Sequence, residues 1–152
     1  MEERLTHKLM LKQYCEEVIL QRITSTMQAM EAAQAAANQE GKSSAGDKYE
    51  TARAMSHLEK DMHARQLLAH QQDLNALRAI NVQSIYNAVA PGAFVQSATA
   101  KFFIAAGLGK QVVNGEEIIF LSPVSPLAQQ LTRKKVGDEF DFKGKTKIIA
   151  VY

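Results

Sequence analysis

Several features that mark particular classes of protein are scarce or missing in this chain of 152 residues. A single Cys excludes an internal disulfide and any zinc site built from cysteines. No apolar run reaches the roughly 18 to 20 residues that a membrane-spanning helix needs. The first residues, MEERLTHK, lack the apolar core of a secretory signal, so we expect a cytoplasmic protein with no membrane association. A net charge of +2 does not by itself indicate nucleic-acid binding.

The two halves of the chain differ sharply in composition. All three Pro and all six Phe lie after residue 90, whereas all six Met and all four His lie before residue 71. Residues 1–80 hold 10 basic and 11 acidic side chains, a net charge of −1, and residues 81–152 hold 8 and 5, a net charge of +3. A shift of this kind predicts two domains, which we place at 1–82 and 83–152.

The first half has the pattern of two long helices. Neither 2–38 nor 51–80 contains Gly or Pro, and Gly41 and Gly46 mark a turn that we place within 39–48. Apolar residues spaced three or four apart predict one buried stripe on each helix. These residues are Leu11, Cys15, Val18, Leu20, Ile23, Met27, Met30, Ala33 and Ala37, then Met55, Leu58, Met62, Leu67, Leu74 and Leu77. The pattern predicts an antiparallel coiled-coil hairpin with an exposed tip at 41–50, and a simple spacer or dimerisation rod is an open alternative.

The second half has the pattern of a small β domain. Alternating runs predict strands at 93–96, 101–106, 117–121, 139–142 and 147–151, with a hairpin turn at Asn114-Gly115. Ser125 followed by Pro126 predicts the start of a short helix over 126–131. The fold class is therefore α+β, with a helical hairpin followed by an antiparallel sheet that begins after Pro91.

The segment 122–138, SPVSPLAQQLTRKKVGD, resembles the C-terminal signature of the Gre-type transcript-cleavage factors of bacterial RNA polymerase. Ala128 and Arg133 depart from that signature, because the family usually has Gly at both positions. The resemblance covers essentially the whole chain and implies an FKBP-like β domain behind the coiled coil. The matching positions are Ser125, Pro126, Leu127, Leu131, Lys134 or Lys135, Val136, Gly137 and Asp138.

The predicted tip carries a second resemblance to the same family, whose members have a Gly-Asp-x-x-Glu element there. This chain has Gly46-Asp47-Lys48-Tyr49-Glu50. The resemblance implies that Asp47 and Glu50 enter the secondary channel of the polymerase and help to hold a Mg²⁺ shared with the polymerase active site. The chain would then be no enzyme itself but would stimulate the polymerase's intrinsic nuclease activity on backtracked transcripts. From the residues alone, Asp47 and Glu50 also fit a helix-capping pair.

Other residues have weaker assignments. Lys48, Tyr49 and Arg53 would lie near the 3′ end of the nascent RNA, and DNA would be close by. Ser125, Pro126, Lys134 and Lys135 are candidates for contact with the polymerase. His57, His63 and His70 are spaced six and seven apart, so we interpret them as seam or surface residues and not as metal ligands. We expect a monomer. Two alternatives stay open, a regulator that occupies the channel without promoting cleavage and an FKBP-like isomerase with an aromatic pocket.

Overall fold

The computed structural model describes the backbone of residues 1–43 and 47–152 and the side chains of residues 1–39 and 50–152. The elements follow the predicted order of two long helices, then a sheet interrupted by one short helix. Part of the predicted turn, residues 44–46, lies outside the described backbone. The elements are α1 (Glu2–Ser43), α2 (Asp47–Arg78), β1 (Phe94–Ser97), β2 (Lys101–Ile104), β3 (Gly109–Val113), β4 (Glu116–Leu121), α3 (Pro126–Leu131), β5 (Glu139–Asp141) and β6 (Lys145–Val151).

The chain forms two compact units whose limits do not follow the chain order. One unit consists of residues 1–17 together with 76–152, and the other consists of residues 18–75. The predicted division after residue 82 is based on the change in composition along the chain, whereas the two units are defined by which residues pack together. The base of the helical hairpin therefore belongs to the same unit as the sheet. No helix in the described ranges is both long and apolar enough to cross a membrane.

Within residues 18–75, α1 and α2 form the predicted tightly packed helical hairpin. The buried stripe of α1, however, lies one residue away from part of the predicted stripe. Ile19 and Thr26 are buried, whereas Leu20 and Met27 are 41% and 48% exposed. The less exposed positions of α1 in this unit keep a regular spacing of three and four residues. This spacing places a threonine in the buried stripe and leaves two larger apolar side chains exposed. The less exposed positions are 19, 23, 26, 30, 33 and 37.

The stripe of α2 differs from the prediction in its first half. Met55, Leu58 and Met62 are between 46% and 67% exposed, so the assignment of these three residues to the seam was wrong. In the first half of α2, the less exposed positions carry smaller or polar side chains. The reason is that the helix face that contains Leu67 and Leu74 continues toward the start of α2. His63 and His70 are half-buried on that phase and His57 is exposed, as predicted. The less exposed positions of α2 in this unit are Ala52, Ser56, His63, Leu67, His70 and Leu74.

The sheet has six strands in the order β3-β4-β2-β1-β6-β5. The prediction of a fully antiparallel sheet was wrong at one pair, since β2 and β4 run parallel. The reason is β3, a strand that the sequence reading missed because Gly107 and Gly109 suggested only a turn. The β3–β4 hairpin turns at Asn114-Gly115, where both residues have positive φ values of 51° and 78° as a tight turn of this type requires.

Each face of the sheet has its own aromatic residues. Phe102 faces α3 and packs with Phe140 and Phe142, whose ring centroids lie 5.9 and 5.2 Å away. Phe103 points to the opposite face, because neighbouring residues of a strand alternate, and packs edge-on against Phe120. The first turns of α1 cover that second face. The core on the α3 side comprises Val89, Ala93, Val95, Phe102, Ile104, Ala128, Leu131, Phe140, Ile148 and Val151.

Candidate functional site

The acidic pair predicted at the tip lies in the first turn of α2. Asp47 is the first residue of the helix, and the side chains of Asp47, Lys48 and Tyr49 lie outside the described residues. Glu50 and Arg53 are exposed, and neither forms an ion pair with another described side chain. Carboxylates near the start of a helix are stabilised by the free N–H groups of the first turn and by the helix dipole. The local structure therefore suits both a capping role and a ligand role.

The chemistry of the tip fits a weakly held cation. Mg²⁺ prefers oxygen ligands and usually takes only one or two protein carboxylates while keeping several waters. Among the described side chains, no group of three or more His, Cys, Asp or Glu residues gathers in one place. Asp47 and Glu50 carry one carboxylate each, so the pair would offer two carboxylates. A Mg²⁺ ion bound there would need further ligands from another molecule.

Ser125 and Pro126 build the start of α3. The Ser125 hydroxyl accepts a hydrogen bond from the backbone N–H of Ala128 at 3.3 Å and donates one to the carbonyl oxygen of Ser122 at 2.7 Å. Pro126 is exposed at the first helical position, and the neighbouring Val124 is 76% exposed. Ser125 thus holds the backbone of this turn, whereas Pro126 and Val124 form its exposed surface.

The basic turn after α3 is fixed by its backbone. The N–H of Arg133 donates to the carbonyl oxygen of Val89 at 2.8 Å, and the N–H of Val89 donates to that of Lys134 at 2.8 Å. The Asp138 carboxylate accepts a hydrogen bond from the N–H of Lys135 at 2.7 Å. Gly137 has a φ of 93°, a conformation that favours glycine. The Val-Gly-Asp part of the motif therefore closes a turn into β5, and the Arg133 and Lys135 side chains project from it as exposed groups.

A buried lysine lies at the base of the hairpin, within the unit that contains the sheet. The Lys8 side chain has no solvent exposure, and its Nζ donates to the carbonyl oxygen of Ser84 at 2.6 Å. The same nitrogen lies 4.6 Å from the centre of the Tyr86 ring. Burial lowers the pKa of Lys8 from its ordinary 10.5 to about 8. Sequence reasoning missed this residue, because its partners lie 76 and 78 positions away and a lone lysine gives no signal of burial.

A second polar cluster joins α1 to the end of the chain. His7 Nδ1 lies 2.9 Å from the Tyr152 hydroxyl, and His7 Nε2 lies 3.3 Å from Glu116 Oε2. The other oxygen of Glu116 pairs with Lys101 at 3.1 Å. Burial is the main cause that raises the pKa of Tyr152, and the Glu116 carboxylate raises it further, whereas Arg4 opposes the shift. This cluster attaches the start of α1 to the sheet and to the C-terminal residue.

The β domain contains two cavities of about 340 and 220 Å³ that share part of their lining. Thr99, Ala100, Glu117 and Ile119 line both. Phe142 is the one aromatic residue in the described lining of either cavity. The other five phenylalanines are buried in the core. These two cavities therefore do not have the aromatic lining that an FKBP-like isomerase pocket predicts.

Two sequence comparisons with known proteins gave no match. A scan against protein-family models found no family that matches it, and a search of curated proteins found no similar sequence.

Proposed function

We propose that this chain is a transcription elongation factor that binds bacterial RNA polymerase, inserts its hairpin tip into the secondary channel and stimulates cleavage of backtracked transcripts. The observation that carries the proposal is the position of two independent motifs in the fold. Asp47 and Glu50 lie in the first turn of α2, next to the hairpin turn, and the Ser-Pro-Leu motif starts α3 in the β domain. The resemblance to Gre-type factors implies an acidic pair at the tip and a Ser-Pro-Leu helix in the β domain, and these positions support the proposal.

The hairpin supplies reach. Residues 47–75, the part of α2 in the hairpin unit, extend over roughly 40 Å at 1.5 Å per residue. A helical pair of this kind buries little apolar surface per residue and leaves Met55, Leu58 and Met62 exposed. Such a pair is better suited to carrying groups into a narrow space than to enclosing a pocket of its own.

The tip carboxylates supply the chemistry. Asp47 and Glu50 would offer oxygen ligands to a Mg²⁺ ion that the polymerase also holds. A bound Mg²⁺ stabilises the negative charge that develops on attacking and leaving oxygens at a phosphodiester. Arg53, exposed in the next turn, and Lys48 and Tyr49 would lie beside the 3′ end of the RNA. The chain itself would then be no enzyme, since the reacting groups belong to the polymerase.

Docking is assigned to the β domain and the base of the hairpin. Pro126 is exposed at the start of α3, Lys135 is exposed on the following turn and Lys134 is half-buried beside it. Deleting residues 39–50 should leave polymerase binding largely intact, as measured by co-sedimentation or by mobility of the complex. Loss of binding in that deletion would show that the tip itself is the docking site and would contradict this assignment.

The decisive experiment is a transcript-cleavage assay on a stalled, backtracked elongation complex with millimolar Mg²⁺. Asp47→Asn and Glu50→Gln keep the size of the side chains but remove the charge. We expect both to bind polymerase like the wild type and to lose cleavage stimulation by orders of magnitude, because a lost metal ligand removes transition-state stabilisation and not binding. Glu59→Gln, which removes an exposed carboxylate of α2 away from the tip, is the matched control and should keep full activity.

Two results would contradict the proposal in different ways. If Asp47→Asn and Glu50→Gln kept full activity, the two carboxylates would not act as metal ligands and the pair would be only a helix cap. If the wild-type protein bound polymerase and never stimulated cleavage, the chain would be a regulator that occupies the channel.

A further inference from the structure

The positive charge of the β domain is concentrated in one short segment. Residues 133–147 contain six basic and three acidic side chains, a net charge of +3. They form the turn after α3 and the β5–β6 hairpin, which lies at one end of the sheet. We call this set of cations the basic edge. Its members are Arg133, Lys134, Lys135, Lys143, Lys145 and Lys147.

The basic edge is not neutralised within the described part of the chain. None of its six cations forms an ion pair there, whereas the two lysines elsewhere in residues 81–152, Lys101 and Lys110, each pair with a glutamate at 3.1 Å. Two of the three acidic side chains among residues 133–147 accept hydrogen bonds from backbone N–H groups and do not pair with these cations. Asp138 accepts from the N–H of Lys135, and Asp141 accepts from the N–H of Gly144 at 3.2 Å.

Two of these cations also occupy strained backbone positions. In the described chain, three residues other than glycine have positive φ values, and they are Asn114, Arg133 and Lys143. Asparagine is enriched at positive φ, whereas this conformation is uncommon for residues with long side chains. Arg133 has a φ of 72° and Lys143 a φ of 53°. Backbone strain of this kind is concentrated at functional sites, so Arg133 and Lys143 are candidates for a functional role.

We propose that the basic edge binds the phosphate backbone of a nucleic acid. The charge of +3 on this turn and hairpin, which no described side chain neutralises by an ion pair, is complementary to a partner with a high density of negative charge. Duplex DNA carries about one negative charge per 1.7 Å of helix axis, and arginine and lysine side chains bind its phosphates with release of counterions. Arg133 supplies the planar fork of donors that matches a phosphate, and Lys143 supplies a compact charge on the hairpin turn. Lys134 and Lys135 also belong to the surface assigned above to polymerase docking. The inference therefore depends on Arg133 and Lys143, which that assignment does not include, and it does not depend on polymerase binding.

The test measures binding of the full-length protein to a fluorescein-labelled 20-base-pair DNA duplex by anisotropy, between 50 and 200 mM salt. Arg133→Asn and Lys143→Asn remove one charge each and place a residue that tolerates positive φ. We expect each variant to bind roughly 3- to 10-fold more weakly at 50 mM salt, with a slope of log affinity against log salt that is smaller by about 1. We also expect each variant to unfold at the same temperature as the wild type or a few degrees higher, because strain is relieved.

Lys110→Gln is the matched control, since it removes one charge from the same unit but outside the basic edge. It should bind the duplex within about twofold of the wild type. Equal weakening by Lys110→Gln and Arg133→Asn would overturn the proposal, because net charge and not the basic edge would then determine binding. Absence of binding at 50 mM salt would also overturn it. If polyglutamate of matched charge competed as well as unlabelled duplex, the partner would be an acidic protein surface and the proposal would be wrong.

Discussion

Replacing Lys8 by Met tests how far the buried amine controls stability. In the folded protein the Lys8 side chain has no solvent exposure, and burial lowers its pKa from 10.5 to about 8. This shift means that folding destabilises the charged amine, relative to the neutral amine, by on the order of 3 kcal/mol. The Ser84 carbonyl and the Tyr86 ring, which both contact the amine, favour its charged form. Methionine keeps an unbranched chain of similar length and carries no charge.

The sign of the pH dependence follows from proton uptake. Between pH 8 and 10.5 the unfolded chain holds the Lys8 proton and the folded chain has lost it, so the free energy of unfolding rises with pH. Integrated from pH 7 to 9, the wild type should gain about 1 kcal/mol. The buried thiol of Cys15 acts in the opposite direction above pH 9, because burial raises its pKa from 9.0 to about 12. The curve should therefore flatten between pH 9 and 10.

The measurement is urea unfolding followed by circular dichroism at half-unit pH steps from 7 to 10. We expect the Lys8→Met variant to lose the rise between pH 7 and 9. Lys12→Met is the control, because Lys12 lies one turn further along α1 and also donates to a backbone carbonyl, that of Ile80 at 2.7 Å, but its side chain is only half-buried. Lys12→Met should keep the rise. A rise of the same size in Lys8→Met would refute the reasoning.

Two further predictions, each with its own control substitution, are tested by thermal unfolding. Gly92 has a φ of 91°, and an added Cβ would lie 2.2 Å from the carbonyl oxygen of Asn81, so Gly92→Ala should cost at least about 2 kcal/mol. Gly109→Ala is the control, because Gly109 has a φ of 72° but open space around the new methyl group, and it should cost only about 1 kcal/mol of stability. Equal losses of stability in the two variants would show that the contact with Asn81 is unimportant. Ser125→Ala removes the cap of α3 and should cost about 1 kcal/mol. Ser125→Thr should be nearly neutral, because threonine also caps and keeps the hydroxyl that donates to the carbonyl oxygen of Ser122. A loss of the same size in Ser125→Thr would argue against a capping role.

Local patterns predicted most of the fold. Stretches free of Gly and Pro predicted both helices, the Asn114-Gly115 pair predicted its hairpin, and Ser125-Pro126 predicted the start of α3. The phase of the helical seam was harder to predict, because Leu20 and Met27 are more apolar than Thr26, which the structure buries in their place. When two adjacent residues both fit a spacing of three or four, hydrophobicity alone predicts burial of the more apolar one, and here that prediction is wrong.

Contacts between distant residues were beyond the reach of local patterns. Burial of Lys8 depends on Ser84 and Tyr86, and the environment of His7 depends on Glu116 and Tyr152. The parallel pairing of β2 with β4 likewise follows from a strand, β3, whose short and polar sequence gave little sign of its presence. Each of these features depends on residues that come together only when the sheet has formed.

The structure separates the residues of the C-terminal motif that hold the fold from those that are free to act. Ser125 caps α3, Gly137 supplies a positive φ, and the Asp138 carboxylate holds the N–H of Lys135. A resemblance based on these residues is therefore strong support for the fold and only indirect support for a function. The proposed function depends instead on side chains that the fold leaves exposed. Glu50 at the tip is one of these, and it forms no ion pair with any described side chain. Substitutions in the first set should reduce stability and activity together, whereas Glu50→Gln should reduce activity alone, and that difference distinguishes a shared fold from a shared mechanism.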